Sequence, residues 1–316
     1  MDQTRVTAAG RRRRRSAEAA DNRHTEHTAA VRRSRHAPEP DRTDEGGSLE
    51  ITADTLVADI AAATAREVAE GRVTGGARGR PWETDGGSPL IVAGRWEDAG
   101  VIRSFSTAAA NEVLLDFVRT ELAGRPGLRV LDLGCGAARN AAPMAAEGAT
   151  VIGTDVAWPM LEAARRRVEA AGVGRRVAFV RAPMDHLPLR DASVDLVVAH
   201  GIWNLARSAA ELRRAIAEAA RVARPGAGLF VFTFSRATLA PGDQPVPGEP
   251  FVFTQFAGEP QCFLTETELT EELLRVGFEK DPPGPLTEYN RPVAGRTLTR
   301  GGPVIFEGTF RAVRHS

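Results

Sequence analysis

The residues best placed to do chemistry fall at the ends of short apolar runs. Asp132, Gly134, Cys135 and Gly136 stand where the run 128–133 gives way to a helical pattern. Glycines two apart allow a tight turn whose bare backbone can press against a ligand. Asp155 follows Asp132 by 23 residues and closes a second apolar run, VIGT at 151–154. A carboxylate there can accept both hydrogen bonds of a ribose diol. Its other use, capping the next helix, stays open. His200 closes the run LVVA at 196–199 and leads into GIWN at 201–204. An imidazole titrates near neutral pH and suits a general base, and a partly buried histidine donating to a carbonyl is the alternative. Trp203 and Asn204 offer stacking and hydrogen bonding to a flat ligand, and Trp203 suits a core equally well.

These positions imply the elements that hold them. Apolar runs at 128–133, 150–154, 177–181, 196–199 and 229–234 have the length and content of strands buried on both faces. Helical stretches at 111–122, 140–147, 159–171 and 209–222 precede or separate them, and 124–127 (GRPG) stops the first. The alternation predicts an α/β fold with a doubly wound, mostly parallel sheet and right-handed crossovers. Ligands of such sheets sit beyond the carboxyl ends of the strands, where Asp132, Asp155 and His200 all fall.

Four segments then carry a resemblance. VLDLGCGAARN (130–140), VIGTDVAWPML (151–161), APMDHLPLRDASVDLVVA (182–199) and RVARPGAGLFVFTFS (221–235) are similar, in order and spacing, to the successive motifs of class I S-adenosylmethionine (SAM) dependent methyltransferases of the small-molecule type. A dinucleotide dehydrogenase would show a third glycine where this chain has Arg139. The resemblance implies a Rossmann-like sheet of seven strands, the last antiparallel and formed by 303–313 (PVIFEGTFRAV). It implies SAM as cofactor, with Asp132 ordering the turn and the methionine amino group, and the backbones of Gly134, Cys135 and Gly136 facing the amino-acid portion. It also places Asp155 on the ribose hydroxyls, Val156 beside the adenine, and Met184 with its main-chain N–H on the adenine ring. Where the family often has an acid for the adenine amino group this chain has Pro183, so Asp185 is the substitute candidate. His200 falls at the cofactor and acceptor junction. GIWN and TFS (233–235) also resemble elements of quinone-biosynthesis C-methyltransferases, with tryptophan in place of arginine and threonine in place of glutamate.

Composition bounds the rest. Residues 1–36 hold ten arginines against four acids, while the whole chain is neutral, so the body is mildly acidic. Phosphate-binding enzymes carry their basic residues near the site, which disfavours nucleic acid as the partner. The stretch 1–48 reads as a disordered Arg-rich tail, 49–110 as an N-terminal helical or cap segment with a glycine-rich linker at 71–87, and 111–316 as the catalytic domain. Within it, 240–262 is rich in proline and aromatics and reads as a substrate lid, and TETE (265–268) starts a helix over 266–276. Trp96 and Phe105 join Trp203 and Asn204 as acceptor-contact candidates. No run is long enough to span a membrane, and the two cysteines, Cys135 and Cys262, read as free thiols with no metal role, so the expectation is a cytoplasmic protein. Methyl transfer to a small-molecule acceptor, O- or N-directed, leads. C-methylation of a quinone-like aromatic, RNA or protein methylation guided by the tail, and SAM binding without turnover are the alternatives.

Overall fold

The computed structural model describes residues 96–291 and 303–313. The expectations for the Arg-rich tail, the helix in 49–73 and the glycine-rich linker lie outside the described residues.

The helices form where caps and apolar spacing coincide. Helix α1 (Ala99–Thr107) starts at Asp98, whose carboxylate accepts from Gly100 and Val101 N–H. Helix α2 (Glu112–Gly124) is capped by Asn111, which accepts from Leu114 N–H, and buries Leu114, Leu115 and Val118. The short α3 (Ala141–Ala146) follows the glycine turn, and α4 (Trp158–Ala170) has Pro159 in its first turn. Helix α5 (Ala209–Val222) is capped by Ser208 and buries Leu212, Ile216, Ala219 and Val222 on one stripe. Thr265 and Glu268 close the capping box anticipated for α6 (Glu266–Leu274).

Five strands, β1 (Arg129–Leu133), β2 (Thr150–Asp155), β3 (Val177–Arg181), β4 (Val194–His200) and β5 (Ala223–Phe234), pair in parallel in the order 3-2-1-4-5. Alternate residues serve opposite faces. Val130, Val151, Leu196, Val198 and Phe230 pack with α2, α3 and α4, whereas Leu131, Leu133, Ile152, Val197, Leu229 and Val231 pack with α5 and α6. Strand order reverses between β1 and β4, so the crevice for a ligand opens beside the glycine turn.

Beyond β5 the chain departs from the expected lid. It forms a two-stranded ribbon, β6 (Val252–Phe253) and β7 (Gln261–Cys262), and packs Phe253, Phe256 and Phe263 with Phe234. Strand β8 (Phe278–Lys280), strand β9 (Thr287–Tyr289) and strand β10 (Ile305–Ala312) complete the main sheet. β10 lies antiparallel to β5, as expected of the closing strand.

The sheet has eight strands, not seven. β5 occupies one edge of β10 over residues 305–311, so β8 and β9 share the other edge, at residues 310–312 and 305–307. The additional strand is the edge position divided in two, its halves too short to read as strands in the sequence. β5 also begins six residues before the run at 229–234, because Ala223 pairs with Val194 and a bulge absorbs Arg224 to Ala227 before pairing resumes at Gly228. Among the described residues, no helix is long and apolar enough to cross a membrane.

Candidate functional site

At the carboxyl ends of β1, β2 and β4 a cavity of about 220 Å³ is lined by Gly134, Gly136, Arg139, Asp155, Val156, Met160, Met184, His200, Ile202, Glu211 and Phe232, among others. Trp96 and Phe105 close it from above, packed edge to face with centroids 5.4 Å apart. A larger cleft, about 840 Å³, lies beyond β5 between Arg236, Pro241, Phe253, Glu266 and Glu288. It shares no lining residue with the first, and the 240–259 segment borders this cleft instead of roofing the glycine turn. Size does not decide between them; the glycine turn and the strand-end Asp155 line the smaller cavity.

The glycine turn is shaped by positive φ angles, 64° at Gly134 and 52° at Gly136. A Cβ on Gly134 would sit 2.5 Å from Ile202 Cδ1, and one on Gly136 would face Phe105 at 3.5 Å. Asp155 ties this turn to the next. Its Oδ2 accepts from Gly136 N–H at 3.0 Å and its Oδ1 from Ala157 N–H at 2.8 Å. Burial raises the Asp155 pKa, while the backbone bonds from Ala157 and Gly136 pull it back. With Val156 N–H as a third backbone donor, the carboxylate still keeps acceptor capacity for a ligand hydroxyl.

Cys135 and Asp132 stand behind the turn and line none of the cavity. Cys135 Sγ fills the space over Gly153, its N–H donates to Thr154 O at 2.9 Å, and burial pushes its thiol up. Asp132 is buried, and desolvation pushes its carboxyl up to about 7 against the opposing pull of Arg139.

His200 sits in the cavity wall, stacked on Phe232 with centroids 4.2 Å apart. Arg139 Nη2 is 2.9 Å from its Nδ1, and Asn111 Nδ2 is 3.2 Å from its Nε2. Asn111 Oδ1 already accepts from Leu114 N–H, so its amide nitrogen faces the ring, and it also donates to Glu307 Oε2 at 2.7 Å. Tyr289 O–H donates to the other Glu307 oxygen at 2.7 Å. Donors therefore face both ring nitrogens, and a neutral imidazole can accept at only one. Burial, then Arg139, lowers the His200 pKa to about 4, so the ring is neutral near pH 7.

The structure brings together Gly134, Gly136, Asp155, Val156, Met184, His200, Trp96 and Phe105 as expected neighbours. It does not bring Asp185, Trp203 or Asn204 to the cavity. Asp185 turns to Arg214, with Nε at 3.1 Å and Nη2 at 2.9 Å. Trp203 lies in the main core, its Nε1 without a partner, and Asn204 is buried beside it. Their 3₁₀ turn, Trp203–Leu205, points them inward, a direction the spacing from His200 does not show. Arg139, Asn111, Glu211 and Glu307 were missed. Of these, only Arg139 carried a local signal, its place in the turn.

Residues 130–226 match a family model described as a methyltransferase domain. Over that stretch, 97 of the chain's 316 residues, the chain is similar to methyltransferase domains. It is 32% identical over 130 residues to a ubiquinone/menaquinone biosynthesis C-methyltransferase of Coxiella burnetii, covering 40% of this chain and 50% of that protein. It is 36% identical over 141 residues to the methyltransferase GfsG of Streptomyces halstedii, covering 44% of this chain and 48% of that one. The chain thus spans about half the length of these relatives. A SAM-dependent methyltransferase from Methanosarcina mazei shares the fold, with a TM-score of 0.51 at 21% identity over 65% of this chain and 99% of that one.

Proposed function

We propose that this domain transfers a methyl group from SAM to a small-molecule acceptor. The observation that carries the reading is the convergence of the Gly134 and Gly136 backbones, Asp155, Val156 and Met184 on one cavity. The donor set fits the cofactor. Asp155 has acceptor capacity left for a ribose hydroxyl, and the Met184 N–H, which has no protein partner among the described residues, suits a ring nitrogen of adenine. When bound, SAM supplies a methyl carbon activated by its sulfonium.

The chain's own part is to hold and align. Trp96, Phe105 and Phe232 give the cavity aromatic walls suited to a flat acceptor. His200, neutral and held between Arg139 and Asn111, acts in this reading by fixing the Arg139 guanidinium and the wall it belongs to. A proton acceptor of pKa about 4 is a poor base at neutral pH, so the general-base role is not part of the proposal. C-methylation of a quinone-like aromatic is the second reading, favoured by the identity to the quinone C-methyltransferase.

Calorimetric titration of SAM into the wild type and into Asp155→Ala tests the cofactor site. Loss of a hydrogen bond to a carboxylate is expected to weaken binding about 10- to 100-fold. Undiminished affinity in a folded variant rejects the assignment. Mass spectrometry of phenols, amines and hydroquinones incubated with SAM and the enzyme then separates O-, N- and C-transfer.

A further inference from the structure

A second carboxylate, Glu211, lines the cavity besides Asp155. Glu211 lies in the first turn of α5, and its Oε2 accepts from Arg207 N–H at 2.8 Å. Among the described residues its other oxygen takes no protein hydrogen bond, and Glu211 lines the cavity. Helix α5 runs along the segment after β3 in a clear register. Glu218 accepts from Leu187 N–H at 2.8 Å, and one turn earlier Arg214 pairs with Asp185. Residues 211, 214 and 218 share one helix face, so Glu211 is set against the start of that segment, Ala182, Pro183 and Met184, which lines the same cavity. The walls there, with Val156, Ile202 and Leu205, are apolar, and Glu211 is the carboxylate among them.

We propose that Glu211 reads the exocyclic amino group of the cofactor's adenine, accepting its hydrogen bond through the free carboxylate oxygen. The inference rests on the SAM-binding reading above. With Asp155 on the ribose, the base extends into the apolar end walled by Val156 and Met184, and an acceptor at that end selects a ring edge that bears a donor. Asp185 is unsuited to this because Arg214 holds it away from the cavity.

The test compares S-adenosylhomocysteine with S-inosylhomocysteine, in which a carbonyl replaces the amino group, by calorimetry on the full chain. The wild type is expected to bind the adenosine compound about 10- to 100-fold more tightly, the value of one hydrogen bond to a charged group. Glu211→Gln keeps an oxygen for Arg207 N–H and turns its NH₂ to the cavity, so it is expected to lose or invert that preference while retaining the wild-type melting temperature within a few degrees. Equal binding of both compounds by the wild type overturns the proposal, as does an unchanged preference in Glu211→Gln. Failure of the wild type to bind S-adenosylhomocysteine at all rejects instead the cofactor reading on which it rests.

Discussion

Gly134→Ala makes the geometry of the turn measurable. At φ of 64° an alanine is forced into the left-handed region, which costs about 1–2 kcal/mol. Its Cβ would also lie 2.5 Å from Ile202 Cδ1 and 2.9 Å from Cγ1. Carbon atoms pack best at about 3.5–4.0 Å, and overpacking of this kind costs about 1–3 kcal/mol. The substitution is therefore expected to destabilise by about 2–5 kcal/mol, with only the second part depending on Ile202. A double-mutant cycle with Ile202→Ala separates the two. Urea denaturation of wild type, Gly134→Ala, Ile202→Ala and the double variant is expected to show a favourable coupling of about 1–3 kcal/mol, the strain relieved when the isoleucine is shortened. Additivity within about 0.5 kcal/mol would refute the reasoning, because it would mean the turn does not rest on Ile202. Both residues line the cavity, so SAM affinity is expected to fall in Gly134→Ala and to recover in part in the double variant.

Other outcomes follow from the buried polar groups. The Asp132 pKa, raised to about 7, lies above its unfolded value of about 4, so the folded chain keeps the proton longer and stability falls as pH rises from about 4 to about 7. Asp132→Asn is expected to lose that slope, and comparing it with wild type in urea at pH 5 and pH 8 cancels the opposing contribution of His200; equal pH dependence of the two proteins contradicts the assignment. Glu307→Ala strips a buried acceptor from both Asn111 and Tyr289 and is expected to cost about 2–4 kcal/mol, against a milder loss for Glu307→Gln; thermal melts showing no difference from wild type count against the network. Arg167 donates to the carbonyls of Phe105, Ser106 and Ala108 and so fastens the end of α1 to α4. Arg167→Ala is expected to speed amide exchange across 99–107 selectively, and unchanged protection there would show that α1 is held by other means.

The parts legible in the sequence are those written in one stretch of chain. The glycine turn, Asp155 and the strand that ends at His200 each show as a short apolar run followed by a breaker or a polar residue, and the parallel sheet follows from repeating that unit. The capping box at Thr265 was readable for the same reason. Asn111 and Glu307 meet across 196 positions, and Arg214 and Glu218 meet Asp185 and Leu187 only because α5 packs back against the segment after β3. No local pattern encodes such pairings. Trp203 shows the converse failure: adjacency to His200 suggested the site, but a single 3₁₀ turn rotates the indole into the core. Asp185 fails similarly, being drawn off by Arg214 on a helix that begins more than twenty residues later.

The hydrogen-bonded chain from Tyr289 through the buried Glu307, Asn111 and His200 to Arg139 links the closing strand to the glycine turn. It also constrains the chemistry. Arg139 and Asn111 aim donors at the two ring nitrogens of His200, of which a neutral ring can accept at one, and burial, then Arg139, keeps that ring neutral. Asp132 lies behind the turn, and both oxygens of Asp155 bind backbone amides. Glu211 stands at the other end of the cavity, against the loop that follows β3. Near Trp96, Phe105 and Phe232, therefore, the described residues present cationic and aromatic groups in place of a ready base. On the proposed reading, such a site favours an acceptor that arrives already nucleophilic, an amine free of its proton or a phenol or enol that Arg139 helps to hold as its anion. Rate is then gained by alignment and by electrostatic stabilisation of that anion, not by proton abstraction at His200.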